Sequence, residues 1–395
     1  MDKRVINWSG RGHGYSEIEI QRVVEAMKTA DPLTQGKYLA EFEQKFRDYL
    51  GSGPAFAVAN CTNALDLSAT LSRLAPGDEV VVPAHTFCAT AIPFAHVGAT
   101  IRWADIDPAT RVVSLETIKA VTTTKTKVIV VVHLYGLMAP MPEIMAFATE
   151  RGIMVVEDCA QAIGAEIDGQ KAGTFGDFAC FSFHGAKNMS TLGEGGMLVV
   201  KSEEHARLVP GLRHNGCCGF PGERQEYWKP AMSNVEVDIQ GVWPYNFCLG
   251  EIQCAVGAAL LDRVDAMTEE RIRRAEKFKK AVSDFPELNF QTIPSNHRHV
   301  FHLLSARYDG PEYGVSRDRF IATMWGEYGV KVIVQYYPLY RYPLFQAHGF
   351  GDAACPHTDH FFDNMVSFPF HLWLAEDDFD YIIEATVKTL EALRK

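Results

Sequence analysis

One lysine stands in a glycine-rich turn directly behind an apolar, aromatic run. The segment Phe181-Ser182-Phe183-His184-Gly185-Ala186-Lys187-Asn188 leads into Gly193-Glu194-Gly195-Gly196. Desolvation at such a place lowers an amine's pKa, because burial penalises the charged form. That is the state suited to a lysine that forms a Schiff base with a carbonyl cofactor. Upstream, Ile153-Met154-Val155-Val156-Glu157-Asp158 is a second apolar run and ends in an acid. Pyridoxal 5'-phosphate needs this pair of residue types, an amine for its aldehyde and a carboxylate for its ring nitrogen. Lys187 is therefore the expected catalytic residue and Asp158 its partner. The bland alternatives are a surface lysine in a turn and an aspartate that caps a helix.

Three stretches carry a resemblance: Glu157-Asp158-Cys159-Ala160-Gln161-Ala162, Ser182-Phe183-His184-x-x-Lys187-Asn188, and Gly193-Glu194-Gly195-Gly196. They resemble the DegT/DnrJ/EryC1/StrS family, sugar aminotransferases of fold type I, and weaker similarity runs from about Gln35 to about Pro369. The resemblance implies that Lys187 holds the cofactor and that Gln161 lies against its ring near the hydroxyl. It implies that Ser182 binds the cofactor phosphate and that Phe87, in Pro83-Ala84-His85-Thr86-Phe87, stacks on the ring. The family's dehydratases carry histidine where this chain has Lys187, so lysine implies amino transfer. In Trp243-Pro244-Tyr245-Asn246-Phe247-Cys248, Asn246 takes the place of an asparagine that reaches the neighbouring subunit's cofactor phosphate. The resemblance thus implies a homodimer with shared active sites. The family usually has glycine in place of Cys61 and commonly arginine in place of Cys248, and both departures alter local contacts.

Asn60-Cys61-Thr62-Asn63 follows an apolar run and opens a helical pattern. The first amides of a helix lack intrahelical partners and favour an anion. Cys61 and Thr62 are therefore candidates for the phosphate cup, although plain helix capping would give the same pattern. His85 and His184 lie close in sequence to these residues and are equally well read as half-buried, hydrogen-bonded imidazoles.

These residues need a scaffold that presents strand ends together. Strands are expected at 55–59, 79–83, 100–106, 127–133, 153–157, 178–183 and 197–200. Helical spacing separates or precedes them at 16–28, 40–50, 63–74, 86–97, 115–122 and 141–151. Near-continuous Val/Ile runs alternating with helices indicate a mostly parallel sheet covered on both faces. Ligands in such sheets sit beyond the carboxyl ends of the strands, where Asp158 and Lys187 both fall. The expected fold is α/β, a three-layer sandwich of the fold type I pyridoxal-phosphate transferases with a smaller C-terminal α+β lobe. The boundary is expected near residue 264, giving a large cofactor-binding domain, 1–264, and a small domain, 265–395.

The chain has 395 residues, is 47% hydrophobic and 22% charged, and carries a formal net charge of −11. That balance gives no support to a nucleic-acid partner. Arg213, Lys331 and Arg341 are basic candidates for a substrate diphosphate. The start of the chain lacks a secretory pattern, and the apolar stretch 128–138 is too short to span a bilayer. No CxxC pair occurs among the nine cysteines; reduced thiols and a cytoplasmic location are expected. The adjacent Cys217 and Cys218 are read as ordinary thiols rather than a redox pair. Gly10-Arg11-Gly12-His13-Gly14 follows no strand and fails the dinucleotide fingerprint. Cys355, His357 and His360 lack the carboxylates of a metal site, so no metal is expected.

The reading is a pyridoxal-phosphate aminotransferase that takes an amino group from glutamate and gives it to a keto-sugar. A nucleoside-diphosphate-linked 4-keto-6-deoxyhexose, or a 3-keto sugar, is the favoured acceptor, in cell-surface polysaccharide or natural-product sugar biosynthesis. A cyclitol acceptor or another fold type I chemistry stays open.

Overall fold

The computed structural model describes residues 3–217, 228, 239 and 241–394. Cys218 lies outside the described residues. The central sheet has seven strands: β1 (Ala55–Val58), β2 (Glu79–Pro83), β3 (Thr100–Ala104), β4 (Thr126–Val132), β5 (Met154–Asp158), β8 (Phe178–Ser182) and β9 (Gly196–Val200). Their order is β1-β9-β8-β5-β4-β2-β3. Every pairing from β8 to β3 is parallel, and only β9 runs against its neighbours β8 and β1.

Alternate residues of these strands enter two separate cores. Val81, Ile129, Val131, Val155, Ala179 and Met197 face one, and Val80, Val82, Val128, Val130, Val156 and Leu198 face the other. Both faces are apolar because both are covered. Helices α2 (Lys37–Leu50), α5 (Leu115–Val121) and α6 (Met141–Arg151) supply Phe42, Phe46, Ile118 and Ile144 to the first core. Helices α3 (Cys61–Leu71), α4 (Ile92–His96) and α7 (Glu203–Arg213) supply Leu65, Leu67, Phe94 and Val209 to the second. The three-layer expectation is met.

Two smaller sheets complete the fold. The two-residue strands β6 (Glu166–Ile167), β7 (Gln170–Lys171) and β11 (His297–Arg298) form a ribbon in the order β11-β6-β7. Strands β10 (Leu288–Phe290), β12 (Leu304–Tyr308) and β13 (Met365–Phe368) form an antiparallel sheet. Helices Val264–Ala281, Arg317–Tyr328 and Glu376–Leu393 share its core through Phe278, Phe320 and Phe379. Among the described residues, no helix is long and apolar enough to cross a membrane.

One expected element divides. The helix read over 86–97 is a turn of 3₁₀ helix at Cys88–Thr90 followed by the short α4. Pro93 stands in the first turn of α4, where its missing N–H is tolerated, but a continuous helix would need that donor. The break turns Phe87 and Thr90 toward the strand ends. Helix α2 has Gly36 at its N-cap and no capping side chain of its own. Its first amides are taken by the buried Glu251 carboxylate, which accepts from Gly36 (2.8 Å), Tyr38 (2.8 Å) and Leu39 (3.2 Å). Glu251, in the segment after Asn246, therefore has a structural duty.

Candidate active site

The carboxyl ends of β2, β4, β5 and β8 and the N-terminus of α3 surround one cavity of about 430 Å³. Cys61, Thr62, Phe87, Asp158, Gln161, Ser182 and Lys187 all line it. Asn246 does not line it and is exposed on the segment that bridges to His214.

Lys187 reaches the cavity from a turn closed by its own amide on the His184 carbonyl (2.9 Å). Burial lowers its pKa below the ordinary amine value, against the opposing pull of Asp158 and Cys61. The turn is clamped by the N-terminal segment. Gly12 N–H donates to the Gly185 carbonyl (2.8 Å), and Leu372 N–H donates to the Gly12 carbonyl (2.8 Å). A Cβ on Gly12 would overlap the Lys187 carbonyl oxygen. The glycines of 10–14 thus serve a close backbone approach to the lysine turn.

Asp158 ends β5 and is buried. It accepts from the Thr90 hydroxyl (2.8 Å) and the Ala160 amide (3.1 Å). Burial still raises its pKa, with Thr90, Ala160 and Lys187 acting the other way. A carboxylate in this condition is stabilised by any cation brought beside it. Behind it, Glu157 accepts from the Gly173, Phe175 and Gly176 amides at 2.7–2.9 Å and from His133 Nε2 at 2.9 Å. His133 Nδ1 accepts from the Ala139 amide (3.3 Å), so the Nε2 position carries the proton. His133, Glu157 and Cys159 lie close enough to hold a metal ion, but these bonds already occupy the imidazole and carboxylate. The network is a strut for the end of β5.

At the anion-binding end, the Asn60 side chain caps α3 by accepting from Asn63 N–H (2.9 Å). The Cys61 and Thr62 amides are left at the cavity wall, the arrangement that favours an anion. Ser182, at the end of β8, adds a hydroxyl to the same cavity. Gly196 lets this corner close: a Cβ there would lie 2.5–2.7 Å from Asn60 carbonyl atoms and Cys61 N. Cys61 is buried, and burial pushes its thiol well above the usual range, so it acts here as a small apolar side chain.

The ring end is aromatic. Phe87 is 52% exposed, and its free face stands at the cavity. It meets Tyr336 edge-on, with centroids 6.0 Å apart. Gln161 accepts from Tyr135 N–H (2.7 Å) and donates to the Tyr336 hydroxyl (3.2 Å). An amine, a buried acid, free helix amides with a hydroxyl, and an unstacked aromatic face share one cavity. That donor set fits a flat, phosphorylated pyridine aldehyde.

Other residues were not singled out by sequence. Thr90, which bonds Asp158, sits in the broken helix and carries no motif signal. His302 lines the cavity, meets Asn188 Oδ1 (3.2 Å), and is held neutral by burial together with Lys187 and Arg271. Arg11 also lines the cavity, and only the glycine cluster around it marked its position. His85 lies behind the cavity, buried against the Tyr135 hydroxyl (2.8 Å). His184 lines the mouth.

The basic candidates for a diphosphate stand elsewhere. Arg213 is buried in an ion pair with Glu43 (2.5 Å) and on the Ala57 carbonyl (2.6 Å). Arg341 pairs with Asp359 and with Asp363 (3.0 Å). Lys331 lines a separate surface hollow with Trp325.

The chain is similar in sequence and fold to known proteins. The model of the DegT/DnrJ/EryC1/StrS aminotransferase family matches residues 15–387. The spore coat polysaccharide biosynthesis protein SpsC of Bacillus subtilis is 32% identical, over 93% of this chain and 93% of its own length. The UDP-N-acetyl-3-dehydro-alpha-D-glucosamine 3-aminotransferase of Acidithiobacillus ferrooxidans is 35% identical, over 86% of this chain and 85% of its own. A putative sugar aminotransferase from Streptococcus pneumoniae, solved in its PLP form, superposes with a TM-score of 0.85 at 26% identity. It covers 99% of this chain and 100% of that one.

Proposed function

The chain belongs to the DegT/DnrJ/EryC1/StrS aminotransferase family, and from that premise we propose that it transfers an amino group from glutamate to a nucleoside-diphosphate-linked keto-hexose. The observation that carries the reading is the convergence of Lys187, Asp158, Ser182 and the α3 amides on one cavity. The relative named as a UDP-sugar 3-aminotransferase supports a nucleotide-linked acceptor, with the ketone at C-3 or C-4. The relative named for spore coat polysaccharide synthesis supports a place in cell-surface sugar formation. A cytoplasmic enzyme fits such a substrate.

Pyridoxal phosphate, when bound, supplies the electron sink that makes a donor's α-proton removable. Lys187 Nζ would hold the cofactor by its aldehyde carbon and, once released, take the proton from the donor's α-carbon. Burial lowers the pKa of Lys187, against the pull of Asp158 and Cys61, and so favours the free amine that a base requires. Asp158 would hold a proton on the ring nitrogen, and Thr90 fixes the carboxylate's orientation. Ser182 and the Cys61 and Thr62 amides would bind the phosphate, with the Thr62 hydroxyl beside them. Phe87 would cover one ring face and Gln161 would stand near the ring hydroxyl. The same lysine returns a proton at the sugar carbon in the second half-reaction, so ping-pong kinetics are expected.

We further propose a homodimer in which Asn246 completes the partner's phosphate site. Asn246 stands outside its own cavity and is exposed. Helix α1 (Glu17–Thr29) leaves Ile18 69% and Met27 65% exposed, and Trp243 is 87% exposed, apolar surface that a second copy would cover. The test of function is glutamate-dependent formation of 2-oxoglutarate, followed by a panel of UDP-, dTDP- and GDP-linked 3-keto and 4-keto hexoses. Amination of a free inosose but none of the nucleotide sugars would replace the acceptor. Failure with every amino donor in the presence of cofactor would remove the aminotransferase reading.

A further inference from the structure

Arg11 is a cation set beside the lysine turn. Its guanidinium lies 3.8 Å over the Trp373 ring and 5.4 Å from the centre of the Tyr15 ring. Its Nε–H is taken by the His13 carbonyl (2.9 Å), and its own amide donates to the Ser9 hydroxyl (3.0 Å). Among the described residues, no carboxylate forms an ion pair with it. The remaining guanidinium N–H groups belong to a side chain that lines the cavity of Lys187. Stacking between aromatic faces fixes such a group in advance and leaves its edge for a planar anion.

The place of Arg11 in the chain limits what that anion is. Its neighbour Gly12 donates to the Gly185 carbonyl and touches the Lys187 carbonyl, so the backbone of Arg11 passes directly along the lysine turn. An amino donor would react through its α-amine at the cofactor carbon that Lys187 holds, and its carboxylates are joined to its α-carbon directly or through two further carbons. The diphosphate of a nucleotide sugar is held away from its reacting ketone by the width of a hexose ring. A short-range anion receptor beside Lys187 suits the first geometry. We propose that Arg11 is the residue that binds the side-chain carboxylate of the amino donor and so selects dicarboxylic amino acids. The proposal rests on the aminotransferase reading above. Arg213, Lys331 and Arg341, read for the diphosphate, do not line this cavity, whereas Arg11 does.

The test compares the wild-type holoenzyme with Arg11→Gln and Arg11→Met, which keep most of the stem over Trp373 while removing the charge. Loss of one charge-assisted, bidentate contact should weaken glutamate by roughly tenfold or more. The expected result is a rise of that size in the glutamate KM and in the 2-oxoglutarate KM of the reverse half-reaction. The keto-sugar KM and the visible cofactor band should stay unchanged. Glutarate, which has two carboxylates and no amine, is titrated calorimetrically in parallel. Its binding should weaken in both variants by the same factor. An unchanged glutamate KM together with weakened UDP binding would assign Arg11 to the diphosphate and overturn the proposal. Glutarate binding that depends on Arg11 in a wild-type protein unable to deaminate glutamate would uphold the carboxylate site and reject the donor reaction. No Arg11-dependent glutarate binding in a protein that does deaminate glutamate would reject the site alone.

Discussion

The chemistry proposed for the site depends on two ionisable groups, half-buried Lys187 and buried Asp158, whose environments push them in opposite senses. Burial moves Lys187 down toward a free amine and Asp158 up toward a neutral acid. Thr90, Ala160 and Lys187 partly relieve Asp158, and Asp158 partly relieves Lys187; a protonated ring nitrogen beside Asp158 would restore the carboxylate charge. Asp158→Asn keeps the size and the bond to Thr90 but cannot hold a charged ring nitrogen. We predict a fall of roughly 10²-fold or more in kcat, the scale of losing one preorganised electrostatic group. The bound cofactor's spectrum should shift to a form with an unprotonated ring. A variant with normal turnover would remove Asp158 from the proposed mechanism. Lys187 and Asp158 were legible in the sequence because an amine after an aromatic strand and an acid at a strand end are rare together. Thr90 and Arg11 were not, since a threonine in a short broken helix and an arginine among glycines have no distinctive neighbours.

At the scale of elements, the central strands of the main sheet were legible because they are apolar on both faces, and the edge strand β3 because exposed Thr100 and Arg102 alternate with buried Ile101 and Trp103. The break between Cys88–Thr90 and α4 was hidden, because its apolar residues keep helical spacing across the interruption. The glycines near the N-terminus carried a signal whose meaning lay in the contact rather than the motif. That contact gives a paired prediction. Gly12→Ala forces a Cβ into the Lys187 carbonyl, and backbone on both sides leaves little room to give. It should cost about 1–3 kcal/mol of stability, typical of overpacking, and weaken cofactor retention. Gly10→Ala meets nothing within 4 Å and should change Tm and cofactor content little. Equal behaviour of the two variants in thermal melts would contradict the role assigned to the N-terminal segment.

The whole molecule binds the first residues, the cofactor cavity and the C-terminal sheet into one unit. Ile6 pairs with Val330, and Arg271 donates to both the Phe301 carbonyl (3.2 Å) and the Gly12 carbonyl (3.3 Å). Histidines held neutral within the fold should make it acid-sensitive. Burial holds His85 and His299 neutral with pKa values of about 3, and His371 at about 4. Their unfolded value is near 6.5, so their stabilisation is present above that pH and lost as pH falls toward 3. Each unit of such a shift corresponds to about 1.4 kcal/mol. The melting temperature should therefore drop steadily from pH 7 to pH 4.5, and a flat profile would show that these imidazoles are not buried neutral. Asn246 belongs to this scale as well, because its proposed partner lies in a second subunit. Mixing inactive Lys187→Ala with weakened Asn246→Ala should restore part of the activity through one intact shared site. No recovery after subunit exchange would place Asn246 outside the phosphate site.

The central claim is that Lys187 holds the cofactor and releases it to the amino donor. The most direct measurement is borohydride reduction of the holoenzyme, then peptide mass mapping, before and after incubation with glutamate. The account predicts a cofactor adduct on the peptide that contains Lys187, absent from glutamate-treated protein, with 2-oxoglutarate formed in equal amount. An adduct on another lysine, or one that glutamate does not diminish, would contradict it.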